Sequence, residues 1–160
     1  LPPDNTAMDR ARAMGFDTPA YRGVRNEVRT ANEPGTYSTN LPDAANIYAN
    51  SEPGANVMPV LIKNNAPYIA ESYSDIGIFD AQKLRGLTDS GYDSAMYKQP
   101  NGANEYIEYI SPVSGIRSRF AAFNPAKRDS ADLLAGIAPW AMPIGATLLG
   151  GSFLLPPEEY

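Results

Sequence analysis

The sequence contains no cysteine and no histidine in its 160 residues. Without cysteine there is no disulfide framework, no thiolate nucleophile and no cysteine metal site. Without histidine the Ser-His-Asp and Cys-His mechanisms are excluded, together with most zinc sites. Any catalysis must therefore depend on carboxylates, hydroxyls, Tyr, Lys, Arg or a bound cofactor.

Basic residues are also in the minority. The chain has 13 Lys and Arg against 18 Asp and Glu, a formal net charge of −5. Nucleic acids and anionic membranes attract basic surfaces, so this balance argues against nucleic acid as a partner. No glycine-rich phosphate-binding loop and no calcium-binding loop pattern is present.

The local patterns predict an α+β fold of short elements. Thr6 as a cap and Gly15 as a terminator bracket a helix over 6–14, and Pro59 places its strand at an edge or a bulge. Pro100-Asn101-Gly102 predicts a turn between two strands of a hairpin. The further predicted helices are 43–50, capped by Asp43, and 74–85. The predicted strands are 16–25, 36–39, 56–62, 92–97, 105–110 and 116–123.

The C-terminal part differs in composition. No charged residue occurs from Leu133 to Leu155, a run long enough to span a bilayer but interrupted by Gly and Pro. Two interpretations stay open: an apolar tail packed on its own domain or a partner, and a membrane-active segment. We expect a domain over 1–123, a linker over 124–130 and a tail over 131–160.

Three ordered segments carry a family resemblance. They are Asn104-Glu105-Tyr106-Ile107, Gly35-Thr36-Tyr37-Ser38 followed by Ala44-Ala45-Asn46-Ile47-Tyr48, and Tyr21-Arg22-Gly23. Together they resemble the ADP-ribosyltransferase superfamily, in particular the poly(ADP-ribose) polymerases and phage or prophage-encoded domains. The resemblance implies a split β-sheet core, NAD⁺ as substrate and no metal.

The resemblance also implies site residues. Glu105 matches the catalytic carboxylate, which stabilises the positive charge that develops on the ribose as nicotinamide leaves. Gly23 matches the residue whose backbone binds the nicotinamide carboxamide, and Tyr37 or Tyr48 would stack on the ring. Strand alternation counted from Glu105 places Glu108 on the opposite, solvated face.

One branch of the superfamily fits better than the others. Arg22 stands where other members have His, so Arg22, Ser38-Thr39 and Glu105 resemble the Arg–Ser–Glu branch of mono-ADP-ribosylating toxins. There the Arg contacts a phosphate or ribose of NAD⁺. Members that modify arginine carry a second Glu two residues before the catalytic one, where this chain has Ala103.

The functional expectation is a mono-ADP-ribosyltransferase, a phage or bacterial effector that modifies a host or bacterial protein. It would be located in the virion or the host cytoplasm. Phage versions of the domain end large polyproteins, which would fit a chain that begins at Leu1. Two alternatives stay open: an NAD⁺ glycohydrolase, and a structural virion component without catalysis that contacts other virion proteins or a membrane through 133–155.

Overall fold

The fold is described from a computed structural model, over residues 4–25, 30–31, 34–49, 53–77, 81–99 and 105–135. These residues form an α+β structure, as the sequence predicts. The helices are α1 (Ala7–Ala13), α2 (Pro42–Ala49), α3 (Tyr73–Gly77) and α4 (Ala81–Asp89). The strands are β1 (Thr18–Val24), β2 (Thr36–Thr39), β3 (Asn56–Ile62), β4 (Pro67–Ile69), β5 (Ser94–Lys98), β6 (Ile107–Ser111) and β7 (Ile116–Ser118).

The strands form one mixed sheet in the order β4-β5-β6-β2-β1-β3-β7. β4 and β5 are parallel, and the other neighbours are antiparallel. The ladder between β1 and β3 runs from Thr18 opposite Ile62 to Val24 opposite Asn56. Within the described residues, β1 and β2 are joined only where Tyr21 faces Thr39. The sheet therefore consists of two halves that meet at this pair.

The first helix shows why local rules succeed. Thr6 accepts a hydrogen bond from the Asp9 backbone while the Asp9 carboxylate accepts one from the Thr6 backbone, a capping box that satisfies two backbone donors. Gly15 follows with φ +84, a conformation that glycine adopts without strain. The predicted helix over 6–14 is confirmed with its cap.

Two predicted helices differ in their boundaries. The second begins at Pro42, so Asp43 lies in the first turn and is not the cap as predicted. Proline suits this first helical position because its missing N–H has no partner there in any helix. The single helix predicted over 74–85 is replaced by α3 and α4.

The prediction that Pro59 marks an edge or a bulge is wrong, because β3 lies between β1 and β7. The Pro59 carbonyl accepts from the Arg119 backbone N–H, just beyond the end of β7. In a strand the N and C=O of one residue point to the same side. The missing donor of Pro59 therefore faces a position where the ladder has already ended, and no bond to β1 is lost.

The predicted hairpin is confirmed as a strand pair. β5 and β6 are antiparallel, with Lys98 opposite Ile107 and Ala95 opposite Ile110. The turn predicted at Pro100-Asn101-Gly102 lies outside the described residues. The strand predicted over 116–123 forms ladder pairs from Ile116 to Ser118.

The four helices pack on one face of the sheet. α1 contributes Ala11 to a cluster with Leu61, and α3 and α4 contribute Ile76 and Leu84 to a cluster with Ile110. The opposite face of the sheet carries a third hydrophobic cluster, to which Leu133 contributes from outside the strands. Both faces of the sheet are thus covered by apolar contacts.

The segment after β7 packs against the sheet as far as it is described. The buried Arg117 guanidinium donates to the carbonyls of Lys127 and Arg128, within the range predicted as a linker. Ser118 N donates to Leu133 O at 2.9 Å, and Leu133 and Leu134 are buried. The rest of the apolar run, 136–155, lies outside the described residues. In the part of the chain that is described, no helix has the length and apolarity to cross a membrane.

Candidate active site

A cavity of about 270 Å³ opens where the two halves of the sheet meet. All six residues that the sequence predicts for cofactor binding line it: Arg22, Gly23, Tyr37, Ser38, Thr39 and Tyr48. The carboxylate that lines it is Glu108, and Glu105 is not among its lining residues. The fold therefore brings the predicted binding residues together but supplies a different carboxylate.

Gly23 sets the distance between α2 and β1. A Cβ built on Gly23 would lie 2.0 Å from the Ala45 carbonyl oxygen and 2.9 Å from Tyr48 Cβ. Side-chain carbons do not approach other atoms that closely, so only glycine allows this packing. The close approach of α2 brings Tyr48 to the cavity.

Glu108 is buried, with 1% of its surface exposed, so the prediction of a solvated side chain is wrong. It pairs with Thr39 on β2 and Tyr97 on β5, in the interior of the sheet. The alternation argument took one face of this strand to be solvated, but both faces of β6 are covered. The face of Glu108 carries the cavity and α2.

Tyrosine hydroxyls surround the Glu108 carboxylate. Tyr48 Oη donates to Oε1 at 3.1 Å, and Tyr106 Oη donates to Oε2 at 3.2 Å. Tyr73 Oη lies 3.2 Å from Tyr48 Oη. Each oxygen of the buried acid therefore accepts a hydrogen bond, as expected of a polar group removed from water.

Opposing effects act on the ionisation of this acid. Burial raises the pKa of Glu108 above its ordinary value, and the hydrogen bonds from Tyr48 and Tyr106 offset part of that rise. Burial and the adjacent Glu108 carboxylate raise the pKa of Tyr106 to about 12. The pKa values of Tyr48 and Tyr73 are raised as well, by burial and by their mutual hydrogen bond respectively. The phenols keep their protons at neutral pH and remain donors.

Glu105, the carboxylate of the sequence motif, lies at the rim. Its side chain is 51% exposed and forms an ion pair with Lys98. Its backbone carbonyl accepts from Asn40 Nδ2 at 2.6 Å. Glu105 thus lies next to β2 but outside the cavity.

Arg22 on β1 and Ser38 on β2 contribute to the lining of the cavity. Their side chains, however, lie on the face of the sheet opposite the helices. Arg22 pairs with Met58 and Ser38 with Tyr109, which belong to the cluster on the face opposite the helices. The Arg22 Nη1 donates to the Thr30 carbonyl at 2.9 Å. The Arg22 side chain therefore has a structural role, since it binds the Thr30 carbonyl.

Arg25 also lines the cavity, and sequence reasoning did not select it. Its Nε donates to the Tyr48 carbonyl at 3.1 Å, which ties the end of β1 to α2. Its guanidinium is an exposed cation at the mouth of the cavity. Arg25 therefore suits the phosphate-binding role predicted for Arg22 better than Arg22 itself does.

The two other β2 residues keep their predicted places. Tyr37 Oη donates to the Ile76 carbonyl at 3.1 Å, so its ring is fixed between the cavity and α3. Thr39 Oγ1 accepts from Leu41 N at 3.2 Å and supports the turn into α2. Both side chains lie on the face of Glu108, because Thr39 pairs with Glu108 and Tyr37 with Ile110.

A sequence signal for Glu108 did exist. The run Tyr106-Ile107-Glu108-Tyr109-Ile110 has apolar or aromatic residues in both alternating registers. Such a strand is covered on both faces, so a carboxylate within it is buried. A buried carboxylate in a cleft is a stronger candidate for catalysis than an exposed one.

Comparison of the chain with protein-family models, curated proteins and solved structures finds no match. The functional interpretation depends on the motifs and on the geometry of the cavity.

Proposed function

We propose that this chain is an NAD⁺-dependent mono-ADP-ribosyltransferase in which Glu108 is the carboxylate at the reacting ribose. The observation that carries the proposal is a buried, hydrogen-bonded carboxylate in a cavity that Gly23, Tyr37 and Tyr48 also line. These are the residue types that the resemblance assigns to nicotinamide binding, and they reach the site from β1, β2 and α2.

The arrangement of the strands supports an ADP-ribosyltransferase-like core. The resemblance implies a split β-sheet core. Here the two halves of the sheet are joined at Tyr21 and Thr39, and the cavity lies at that joint. The proposed site therefore lies where, among the described residues, two neighbouring strands share a single ladder pair.

The size of the cavity fits part of a dinucleotide. Ligand pockets commonly measure about 300–1,000 Å³, and this cavity measures about 270 Å³. It is suited to the nicotinamide and its ribose, with the remainder of NAD⁺ extending over the rim. The Arg25 guanidinium at the mouth supplies the positive charge that the diphosphate requires.

The chemistry needs little more than a fixed carboxylate. The bond between nicotinamide nitrogen and ribose carbon breaks, and its electron pair leaves with nicotinamide. The positive charge that develops on the ribose is stabilised by the ionised Glu108, whose side chain is fixed by its hydrogen bonds. The acceptor nucleophile bonds to the same carbon, and its proton passes to Glu108.

The acceptor is a protein side chain other than arginine. Arginine-modifying members of the resembled branch carry a second Glu two residues before the catalytic one. Counted from Glu105 that position is Ala103, and counted from Glu108 it is Tyr106. Neither register supplies the additional acid.

A structural role is the second candidate, and one observation favours it. Both oxygens of Glu108 already accept hydrogen bonds within the protein, as expected of a buried acid that stabilises a core. In this alternative the chain is a virion or assembly component that keeps the fold without turnover. It predicts no binding of NAD⁺ in a calorimetric titration.

Incubation of the full chain with NAD⁺ tests the proposal. We expect release of nicotinamide, measured by chromatography, and ADP-ribose adducts on proteins of a bacterial lysate, identified by mass spectrometry. Nicotinamide accompanied only by free ADP-ribose would instead indicate a glycohydrolase. No binding and no release would contradict the proposal and favour the structural alternative.

A further inference from the structure

The hydrogen bonds around Tyr48 have a fixed direction. Tyr48 Oη lies 3.1 Å from Glu108 Oε1 and 3.2 Å from Tyr73 Oη. A phenol has a single proton, and an ionised carboxylate can only accept. The Tyr48 proton is therefore donated to Glu108, and Tyr73 donates its own proton to Tyr48.

Tyr48 also occupies the carboxylate oxygen that a ligand would use. Glu108 Oε2 is engaged by Tyr106, which reaches it from the same strand two residues away. Tyr48 and Glu108 line the cavity and Tyr106 does not, so we assign Oε1, the oxygen that Tyr48 binds, to the ligand side. A hydroxyl group that enters the cavity therefore competes with Tyr48 for Oε1.

We propose that Tyr48 caps Glu108 in the free protein, that a hydroxyl of the bound substrate displaces it, and that Tyr73 positions the Tyr48 hydroxyl in both states. The inference rests on the proposed function, since the displacing group is then a ribose hydroxyl of NAD⁺. Once displaced, Tyr48 donates its proton to the Tyr73 oxygen, and the bond between the two phenols reverses direction. The displaced Tyr48 hydroxyl thus keeps a hydrogen-bond partner within the protein.

Tyr73 is placed for this role. It begins α3, its side chain is half exposed, and its ring packs edge to face on Tyr97 at 5.9 Å between centroids. The ring is thus held while its hydroxyl is free to rotate. Without that hydroxyl, the displaced Tyr48 would lose its acceptor within the protein, and with it a hydrogen bond that typically contributes about 0.5–1.5 kcal/mol.

The test is a double-mutant cycle on the full chain, with NAD⁺ binding measured by calorimetry. The proteins are the wild type, Tyr48→Phe, Tyr73→Phe and the double variant. Tyr73→Phe should weaken NAD⁺ binding about fivefold when Tyr48 is present and less than twofold when it is Phe. Tyr48→Phe alone should strengthen NAD⁺ binding, because it removes the hydroxyl that competes for Glu108 Oε1 and keeps the ring.

Two controls separate the cap from general damage. Nicotinamide has no ribose hydroxyl, so its affinity should be the same for all four proteins. Tyr92→Phe makes the same chemical change next to Tyr68, outside the lining of the cavity, and should leave NAD⁺ affinity unchanged.

The outcomes are distinguishable. Equal effects of Tyr73→Phe with and without the Tyr48 hydroxyl would overturn the cap and leave the proposed function standing. No NAD⁺ binding by any of the four proteins would overturn both the proposed function and the cap.

Discussion

At the scale of single residues, the state of Glu108 is decided by two opposing effects. Burial favours the neutral acid, and the phenols favour the carboxylate. Because burial is the larger effect, the pKa of Glu108 lies above its ordinary value of 4.5. Since stabilisation of the ribose cation needs the ionised form, we expect activity to rise as the pH rises through that raised pKa.

Tyr106→Phe tests this balance. Loss of its hydrogen bond raises the pKa of Glu108 further, so at a given acidic pH less of the acid is ionised. A hydrogen bond to a charged group contributes about 1.5–3 kcal/mol, so kcat/KM should fall about tenfold on the acidic side of the pH profile. It should recover at alkaline pH, where Glu108 is ionised in both proteins.

The same pH profile for Tyr92→Phe is the control and should match the wild type. A loss of activity by Tyr106→Phe that is equal at every pH would mean that Tyr106 only supports the packing.

The sequence motifs predicted most of the residues that line the cavity, but they did not predict which carboxylate lines it. Gly23, Tyr37 and Tyr48 were identified from their motifs, and the fold brings them together. Glu105 matches the residue type of its motif, yet it precedes β6 and forms an exposed ion pair with Lys98. Which of two nearby acids enters a cleft depends on what covers each face of the strand, and that is a tertiary property.

At the scale of elements, the contact between α2 and β1 shapes the cavity. The helix lies on the strand at Gly23 so closely that the Ala45 carbonyl occupies the place of a side chain. Any widening of this contact would move Tyr48 away from Glu108.

Gly23→Ala should therefore destabilise the protein. Its new Cβ would clash with backbone atoms of α2, which cannot rotate away as a side chain would. Overpacking of this kind costs about 1–3 kcal/mol. The free energy of unfolding, measured with denaturant, should fall by that amount.

Gly86→Ala is the matched substitution, since a Cβ at Gly86 meets nothing within 4 Å. Gly86 lies inside α4, so alanine should stabilise the helix by about 0.5–1 kcal/mol. If both substitutions changed stability alike, the close approach at Gly23 would be contradicted.

Elements with strong local signals were predictable with their boundaries. β2 and β3 follow their predicted ranges, and Thr6 caps α1. The position of β3 in the sheet was not predictable from Pro59. A proline lacks one backbone N–H donor. At Pro59 that missing donor faces the position just beyond the end of β7.

At the scale of the whole molecule, residues after β7 complete the core. Thr30 pairs with Asp132, and Leu133 is fully buried against the sheet on the face opposite the helices. Composition alone assigned these residues to a tail. The contacts show that the beginning of that apolar run belongs to the structure formed by the sheet.

Leu133→Ala should accordingly be costly. Removal of a fully buried leucine side chain typically reduces stability by about 2–5 kcal/mol. Ile47→Ala removes a similar side chain that is 76% exposed on α2 and should change stability by less than about 0.5 kcal/mol. Thermal unfolding of both variants distinguishes core packing from a loosely attached segment, for which the two would behave alike.

The strand order was beyond sequence reasoning for a related reason. β2 and β6 are neighbours although long stretches of chain separate them, and β1 and β2 share the single pair Tyr21 and Thr39 in the described ladder. Nothing in the local pattern of either strand encodes that partner. The joint that forms the cavity arises from these non-local pairings.

The most direct test of the central claim compares Glu108→Gln with Glu105→Gln in an assay of nicotinamide release from NAD⁺. Both substitutions remove a charge and keep the shape, and only Glu108 lines the cavity. We predict that Glu108→Gln lowers kcat by about 10²-fold or more, while Glu105→Gln stays within about twofold of the wild type. Loss of turnover in Glu105→Gln with normal turnover in Glu108→Gln would contradict the account.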